Sequence, residues 1–265
     1  GPLQRRMAQC YLSVGELSEC RAALMAAVVS LHGEKDHKAY EELGEADFRS
    51  RYWRQRKLHS LNAFWRNAQG KGQKAKAAQP PGRDGAAAKR KEKPSPHLEL
   101  AIAYELLAQV SMQEHCPEQA GYCAMRALDI GKSLPTITPV VGRAYASLML
   151  VESASEKSSS WMVARYKRKA LETCEKLNEL GQLSYTLHAA GVHDAGQARW
   201  ASAQDNLGQA AAYAAKLKDM RQWEESVCHQ AHMEFYHGRF ALSKDLYAQA
   251  LQPAQKRGDN QIEMR

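Results

Sequence analysis

Apolar residues recur along this chain at helical spacing, and small side chains sit at set places among them. Ala8, Tyr11, Gly15, Cys20, Leu24 and Ala27 predict two helices joined by a short turn at Gly15. Tyr104, Leu107 and Ala108, followed by Ala120, Ala124, Ala127 and Leu128, predict a second such hairpin. Val151, Tyr166, Ala170 and Leu171 suggest a third, less regular one. Gly191 with Trp200, Ala203, Leu207 and Ala210 gives a fourth. Ala231, Gly238, Phe240, Tyr247, Ala250 and Leu251 give a fifth. Ala170, Ala210 and Ala250 stand forty residues apart, and a fixed period of that size predicts stacked helical hairpins.

The small residues have a physical reason. Antiparallel helices at close range need Ala, Gly, Ser or Cys where their backbones approach, with larger apolar residues filling the space beside them. In each clear copy the small positions fall eight, twenty and twenty-seven residues into the hairpin. One therefore lies on the first helix and two on one face of the second.

This pattern resembles the tetratricopeptide repeat (TPR) over residues 1–34 and about 98–262. The spacing of forty departs from that family's usual thirty-four, and its tryptophan and proline positions are mostly absent. The resemblance implies an all-α, right-handed α-solenoid of about five TPR-like helical hairpins. The order HLELAIAYELLAQVSM, GQARWASAQDNLGQAAAYAAKLKD, then RQWEESVCHQAHMEFYHGRF onward, is also similar to the C-terminal repeat region of soluble adenylyl-cyclase-like signalling proteins. Lys256-Arg-Gly-Asp-Asn-Gln261 is the most telling piece. That region is non-catalytic, so no cyclase residue carries over.

Charge divides the chain. Residues 49–93 hold fourteen Lys/Arg against two Asp/Glu, +12 within a whole-chain charge of +8, which leaves −4 for the rest. We expect a TPR-like hairpin over 1–45, a basic aromatic helix over 46–68, a disordered basic linker over 69–96, and four hairpins over 97–265. The linker is rich in Gly, Pro, Lys and Ala with no hydrophobic period. Its Gly-Lys-Gly-Gln-Lys run lacks the frame of a phosphate loop. In the helix before it, Leu58, Leu61, Trp65 and Ala68 form the expected apolar stripe, ringed by Arg49, Arg51, Arg54, Arg56, Lys57 and Arg66. Its bland reading is a solvated helix covering the first hairpin. Its functional readings are a site for an acidic or calmodulin-like protein, for an anionic membrane surface, or for single-stranded nucleic acid.

No run of apolar residues is long enough for a transmembrane helix. The chain opens Gly-Pro and stops in mid-pattern, so we read it as a piece of a longer protein. Six cysteines without a CxxC pair indicate reduced thiols and a cytoplasmic setting. A ciliary placement rests only on the alanine- and glutamine-rich style.

Catalytic chemistry finds no foothold. His229 and His232 share a helix face, but His237 and Cys228 fall off it, so no metal site or cofactor is expected. His188 and His193, five apart, do no better. Glu41/Glu42 and Glu224/Glu225 are adjacent pairs, read as solvated. Ser158 to Ser160 read as a loop leading into a helix. No GxSxG, HExxH or kinase signature occurs.

The resemblance implies instead a concave binding face, lined by repeat positions 2, 5, 9, 12 and 13. Counted along the hairpins, these give Glu105, Gln109, Met112, Tyr185, His188, Val192, Glu225, His232, Phe235 and Tyr236. Phe235 and Tyr236 suit anchors for a peptide or helix. A chaperone-tail clamp needs Lys and Asn where this chain has Arg5 and Gln9, Glu105 and Gln109, His188 and Val192. The expected function is a non-catalytic protein-interaction or scaffold segment of a larger cyclase-like signalling protein. The alternative is a nucleic-acid or anionic-surface adaptor acting through residues 49–93.

Overall fold

The computed structural model describes residues 2–32, 44–69, 95–155, 159–259 and 262, excepting the side chains of 62–69. Among these residues it is all-α. The helices are α1 (Pro2–Ser13), α2 (Leu17–His32), α3 (Glu45–Gln69), α4 (Pro96–Gln113), α5 (Pro117–Ser133) and α6 (Pro139–Ala154). Then follow α7 (Ser160–Leu177), α8 (Leu180–Gly196), α9 (Trp200–Leu217), α10 (Met220–Tyr236) and α11 (Phe240–Arg257). Glu41, Glu42, Ser158 and most of the basic linker lie outside the described residues. Gln69 ends α3, and Ser95 and Pro96 open α4, so the helices reach further into the expected linker than its composition suggests.

Local chemistry sets the helix ends. Ser95 Oγ accepts the amide of Leu98 at 3.2 Å and Pro96 fills the first turn of α4. The turns after α1, α4, α8 and α10 each use one left-handed residue: Gly15, His115, Ala198 and Gly238, with φ of 76°, 59°, 54° and 74°. The next amide then reaches back to an orphan carbonyl, as Arg199 N does to Asp194 O and Arg239 N to Glu234 O, both at 2.9 Å. The stops after α7, α9 and α11 are also left-handed: Asn178, Lys218 and Gly258, at forty-residue steps.

The helices pair in sequence, α1 on α2, α4 on α5, α6 on α7, α8 on α9 and α10 on α11. First helices also neighbour one another in order: α1 on α4, α4 on α6, α6 on α8, α8 on α10. Ala8, Cys20, Ala27, Ala108, Ala120, Ala127, Ala203, Ala210, Ala231 and Ala250 are all at 0% exposure, sealed where helices cross. A continuous apolar core runs from Ala8 to Ala190, and a smaller cluster around Val227, Cys228, Ala250 and Ala254 serves the C-terminal helices.

Helix α3 departs from expectation. It packs on α5, in the second hairpin, not over the first. Leu58 and Leu61 are 52% and 54% exposed, whereas Phe48 and Tyr52 form the buried stripe. Trp65 and Ala68 have side chains outside the described set. The stripe is set by a partner surface that composition does not reveal. Tyr52 lies over the bare backbone of Gly121 and donates to Glu152 Oε1 at 2.8 Å, while Arg56 pairs with the same carboxylate.

Helices α10 and α11 reach the end of α1. Arg221 on α10 donates to the carbonyl of Leu12, at the end of α1, and pairs with Asp259 at 2.9 Å. Arg257, at the end of α11, donates to Ser13 O at 3.4 Å and grips Glu224. The run Arg257-Gly258-Asp259 therefore works here as a helix stop with a charged clasp.

Candidate binding groove

Helices α4, α6, α8 and α10 line an open groove of about 540 Å³. Gln109, Met112 and Gln113 reach it from α4, with His115 from the turn that follows. Leu150 comes from α6, Tyr185, His188 and Val192 from α8, and Glu225, His229 and His232 from α10. On α8 and α10 successive lining residues are three or four apart, and on α4 Met112 and Gln113 lie three and four after Gln109, so each of these helices offers one stripe. A second cavity of about 240 Å³ adjoins it, sharing Gln109, Gln113, Tyr185 and Glu225 and adding Arg143 and Arg221.

Hydrogen bonds fix much of this wall. Gln113 Nε2 donates to Glu225 Oε1 at 2.9 Å, and Arg221 Nη2 donates to Gln113 Oε1 at 3.0 Å. Tyr185 and Ser147 share a bond of 3.0 Å, and the Arg143 guanidinium lies 5.8 Å from the centre of the Tyr185 ring. Burial raises the Tyr185 hydroxyl above its ordinary value, and the charge of Glu105 adds to this. Glu105 itself lies behind the wall, accepting from Gln109 Nε2 at 2.5 Å. Burial holds its carboxyl above the usual range, against the pull of Arg143 and Gln109.

The imidazoles gather at one end. The rings of His188 and His229 are 5.2 Å apart, those of His229 and His232 are 6.0 Å apart, and Tyr247 of α11 stands 5.5 Å from His232. His188 Nδ1 contacts Ser226 Oγ at 3.0 Å. His193 turns away, to Ser153 Oγ at 2.6 Å. Among the described residues, no three His, Cys, Asp or Glu side chains are grouped to hold a metal ion.

Of the residues expected to line a binding face, Gln109, Met112, Tyr185, His188, Val192, Glu225 and His232 come together here. Glu105 is a buried support. Phe235 and Tyr236 lie elsewhere, at the α10–α11 turn, 54% and 72% exposed, with the Phe235 ring meeting those of Tyr236 and Phe240 edge to face. Gln113, His115, Leu150 and His229 were missed. His229 carried a usable signal, lying four residues after Glu225 and three before His232. The reading of Glu224 and Glu225 as solvated is corrected. Glu224 is fully buried against Arg257, and Glu225 is bonded by Gln113 and lies 3.4 Å from Arg221. Cations from distant helices reach them, which local sequence does not report.

The basic helix is split by its packing. Arg49 pairs with Glu118 and Glu45 at 3.2 Å each, and Arg56 with Glu152 while lying 4.6 Å over the Trp53 ring. Arg51, Arg54 and Lys57 are exposed; the side chain of Arg66 lies outside the described set. Phe48 and Tyr52 are buried, so these aromatics offer no stacking face to a nucleobase.

No protein-family model, curated protein or solved structure matches the chain. Among the described residues, no helix is long and apolar enough to cross a membrane.

Proposed function

We propose that this chain is a non-catalytic protein-interaction segment, a right-handed solenoid of TPR-like hairpins that holds a peptide or helix in its groove. The observation that carries this reading is the cavity of about 540 Å³ lined in register by α4, α6, α8 and α10. The ordered neighbouring of first helices supports the solenoid. The wall mixes apolar Met112, Leu150 and Val192 with amide and imidazole donors. That mixture suits an extended segment, whose side chains need apolar seats and whose backbone needs hydrogen-bond partners. We place the segment in a cyclase-like signalling protein on the repeat resemblance alone, and in the cytoplasm on its unpaired cysteines alone.

The test is selection of a random peptide library on the full chain, repeated on a Met112→Arg/Val192→Arg variant whose groove is filled. Peptides retained by the native chain and lost by the variant support the reading. Recovery of none, or equal retention by both, refutes it.

A second reading rests on Arg51, Arg54 and Lys57, whose exposed charges suit an anionic surface or an acidic partner. It uses α3 and leaves the groove untouched.

A further inference from the structure

We propose that the outward face of α3, with Trp161 of α7 beside it, docks on an anionic membrane surface. Its cations meet the lipid headgroups, and Leu58, Leu61 and Trp161 reach the boundary with the acyl chains. This rests on the second reading of the chain, in which the exposed charges of α3 carry the contact, and it names the partner.

Helix register builds the face. Phe48 and Tyr52 are turned inward and buried. On the opposite side of α3 fall Arg51, Arg54, Lys57, Leu58 and Leu61, spaced mostly three or four apart, and all five are exposed. From Arg51 to Leu61 the stripe is about 15 Å long at the helical rise. Arg51, Arg54 and Lys57 have no hydrogen bond or ion pair among the described residues, whereas Arg49 and Arg56 are both paired. The acids of α3 stand in its first turn, where Glu45 pairs with Arg49 and Asp47 accepts from Gly44 N at 3.1 Å. The stripe itself is therefore cationic and free of acids.

Helix α7 extends this surface. Ser60 Oγ donates to Met162 Sδ at 3.6 Å, and Arg165 Nη1 donates to His59 O at 3.4 Å. The first turns of α7 thus lie along the C-terminal half of α3. Trp161, one turn before Arg165, is exposed, and the Arg165 guanidinium lies 5.7 Å from the centre of its ring.

The chemistry of the face selects a bilayer among anionic partners. An acidic groove that wraps a helix takes its apolar side, and in α3 that side is closed against α5. Single-stranded nucleic acid needs a row of open rings, and Phe48 and Tyr52 are buried. A duplex backbone rewards the three cations but has no seat for leucines set among them. A membrane surface takes both kinds of group. Headgroup phosphates and carboxylates meet the cations, whose stems lie along the apolar layer, while aliphatic and indole side chains sit at the boundary beneath.

The experiment is cosedimentation of the full chain with vesicles of phosphatidylcholine, with and without phosphatidylserine, at low and at physiological salt. We expect binding that requires phosphatidylserine and weakens as salt rises. Arg51→Gln/Arg54→Gln/Lys57→Gln should lower that affinity about tenfold or more. Leu58→Ser/Leu61→Ser should lower it about tenfold and leave retention on heparin unchanged. Tryptophan emission should shift to the blue on vesicles, and Trp161→Phe should remove the shift. Circular dichroism checks the fold of each variant; should the triple change not fold, Arg54→Gln/Lys57→Gln takes its place. Vesicle binding that ignores the leucine change, with emission unmoved, overturns the membrane seat. Salt-sensitive binding to heparin or single-stranded DNA, with none to vesicles, also overturns it and leaves the second reading standing. Vesicle binding that survives loss of the three cations overturns this face as the docking site. Absence of salt-sensitive binding to vesicles, heparin and DNA alike sinks the second reading together with the proposal.

Discussion

The ring of Tyr52 lies where a side chain on Gly121 would have to be: a Cβ there would stand 2.6 Å from two ring carbons. Helix α3 is seated on α5 through this contact, and Tyr52's bond to Glu152 ties it to α6 as well. Gly121→Ala must displace a buried ring, and we expect a loss of about 1–3 kcal/mol in urea unfolding. Tyr52→Ala costs more, about 3–5 kcal/mol, because it empties the seat. The double variant should lose less than the two separate losses together by about 1 kcal/mol. Strict additivity would mean that the ring is not what Gly121 accommodates.

Ala198 sits at a left-handed turn position where its counterparts Gly15 and Gly238 are glycine. A Cβ in this conformation costs about 1–2 kcal/mol, part of which glycine returns through its freer unfolded chain. Ala198→Gly should therefore stabilise the protein by about 0.5 kcal/mol. Ala214→Gly, inside α9, should destabilise it by about 1 kcal/mol. Thermal or urea midpoints moving the same way in both variants would count against the turn geometry.

Glu105 gives a signed dependence on pH. Its folded carboxyl holds a proton more tightly than the ordinary value of 4.5, chiefly through burial. The stability this contributes is complete below pH 4.5 and is lost as pH rises through the folded value. Glu105→Gln, which can keep a bond to Gln109, should flatten that part of the stability curve and leave neutral-pH stability equal or higher. A variant whose curve still falls over the same interval would show that another group is responsible.

Arg51, Arg54 and Lys57 are solvated, unlike Arg56. Reversing them to Glu should change stability by no more than about 0.5 kcal/mol. It should also abolish any salt-sensitive retention on heparin or anionic vesicles. Glu152→Ala, which strands Arg56, should cost about 3–5 kcal/mol. Retention that survives the triple reversal would dismiss this face as a contact surface.

Cys20, Cys123, Cys174 and Cys228 are buried, while Cys10 and Cys116 are exposed. Burial raises the Cys20 thiol to about 11. Thiol-specific labelling of the native protein at neutral pH should modify Cys10 and Cys116 first and reach Cys20 only on unfolding. Early modification of Cys20 would contradict its packing between α1 and α2.

The sequence was most informative where packing is local and repeated. Small residues at forty-residue spacing located the helix crossings, and the positions that the repeat resemblance implies on α4, α8 and α10 supplied most of the groove wall. Legibility failed where a distant partner decides the outcome. The buried stripe of α3 is Phe48 and Tyr52 because α5 offers Gly121 beneath them, and nothing within α3 reports that. Glu224 and Glu225 looked solvated because Arg257 and Gln113 are remote in sequence. Phe235 and Tyr236 follow the repeat count onto the last turn of α10, where the helix has already run past the cavity. A further periodic signal was present but unused: Asp194 with Arg199, and Glu234 with Arg239, repeat an acid–arginine clasp across the turns of two hairpins.

The clasp by which Arg221 and Arg257 hold the carbonyls of Leu12 and Ser13 bears on how the molecule comes apart. An open row of repeats loosens from its termini inward, because each outermost unit has only one neighbour. Here α1 and the α10–α11 pair brace each other. Amide exchange should therefore be nearly level from α1 to α11 where an open row would taper, and cutting the clasp with Arg221→Met should restore the taper at both ends together.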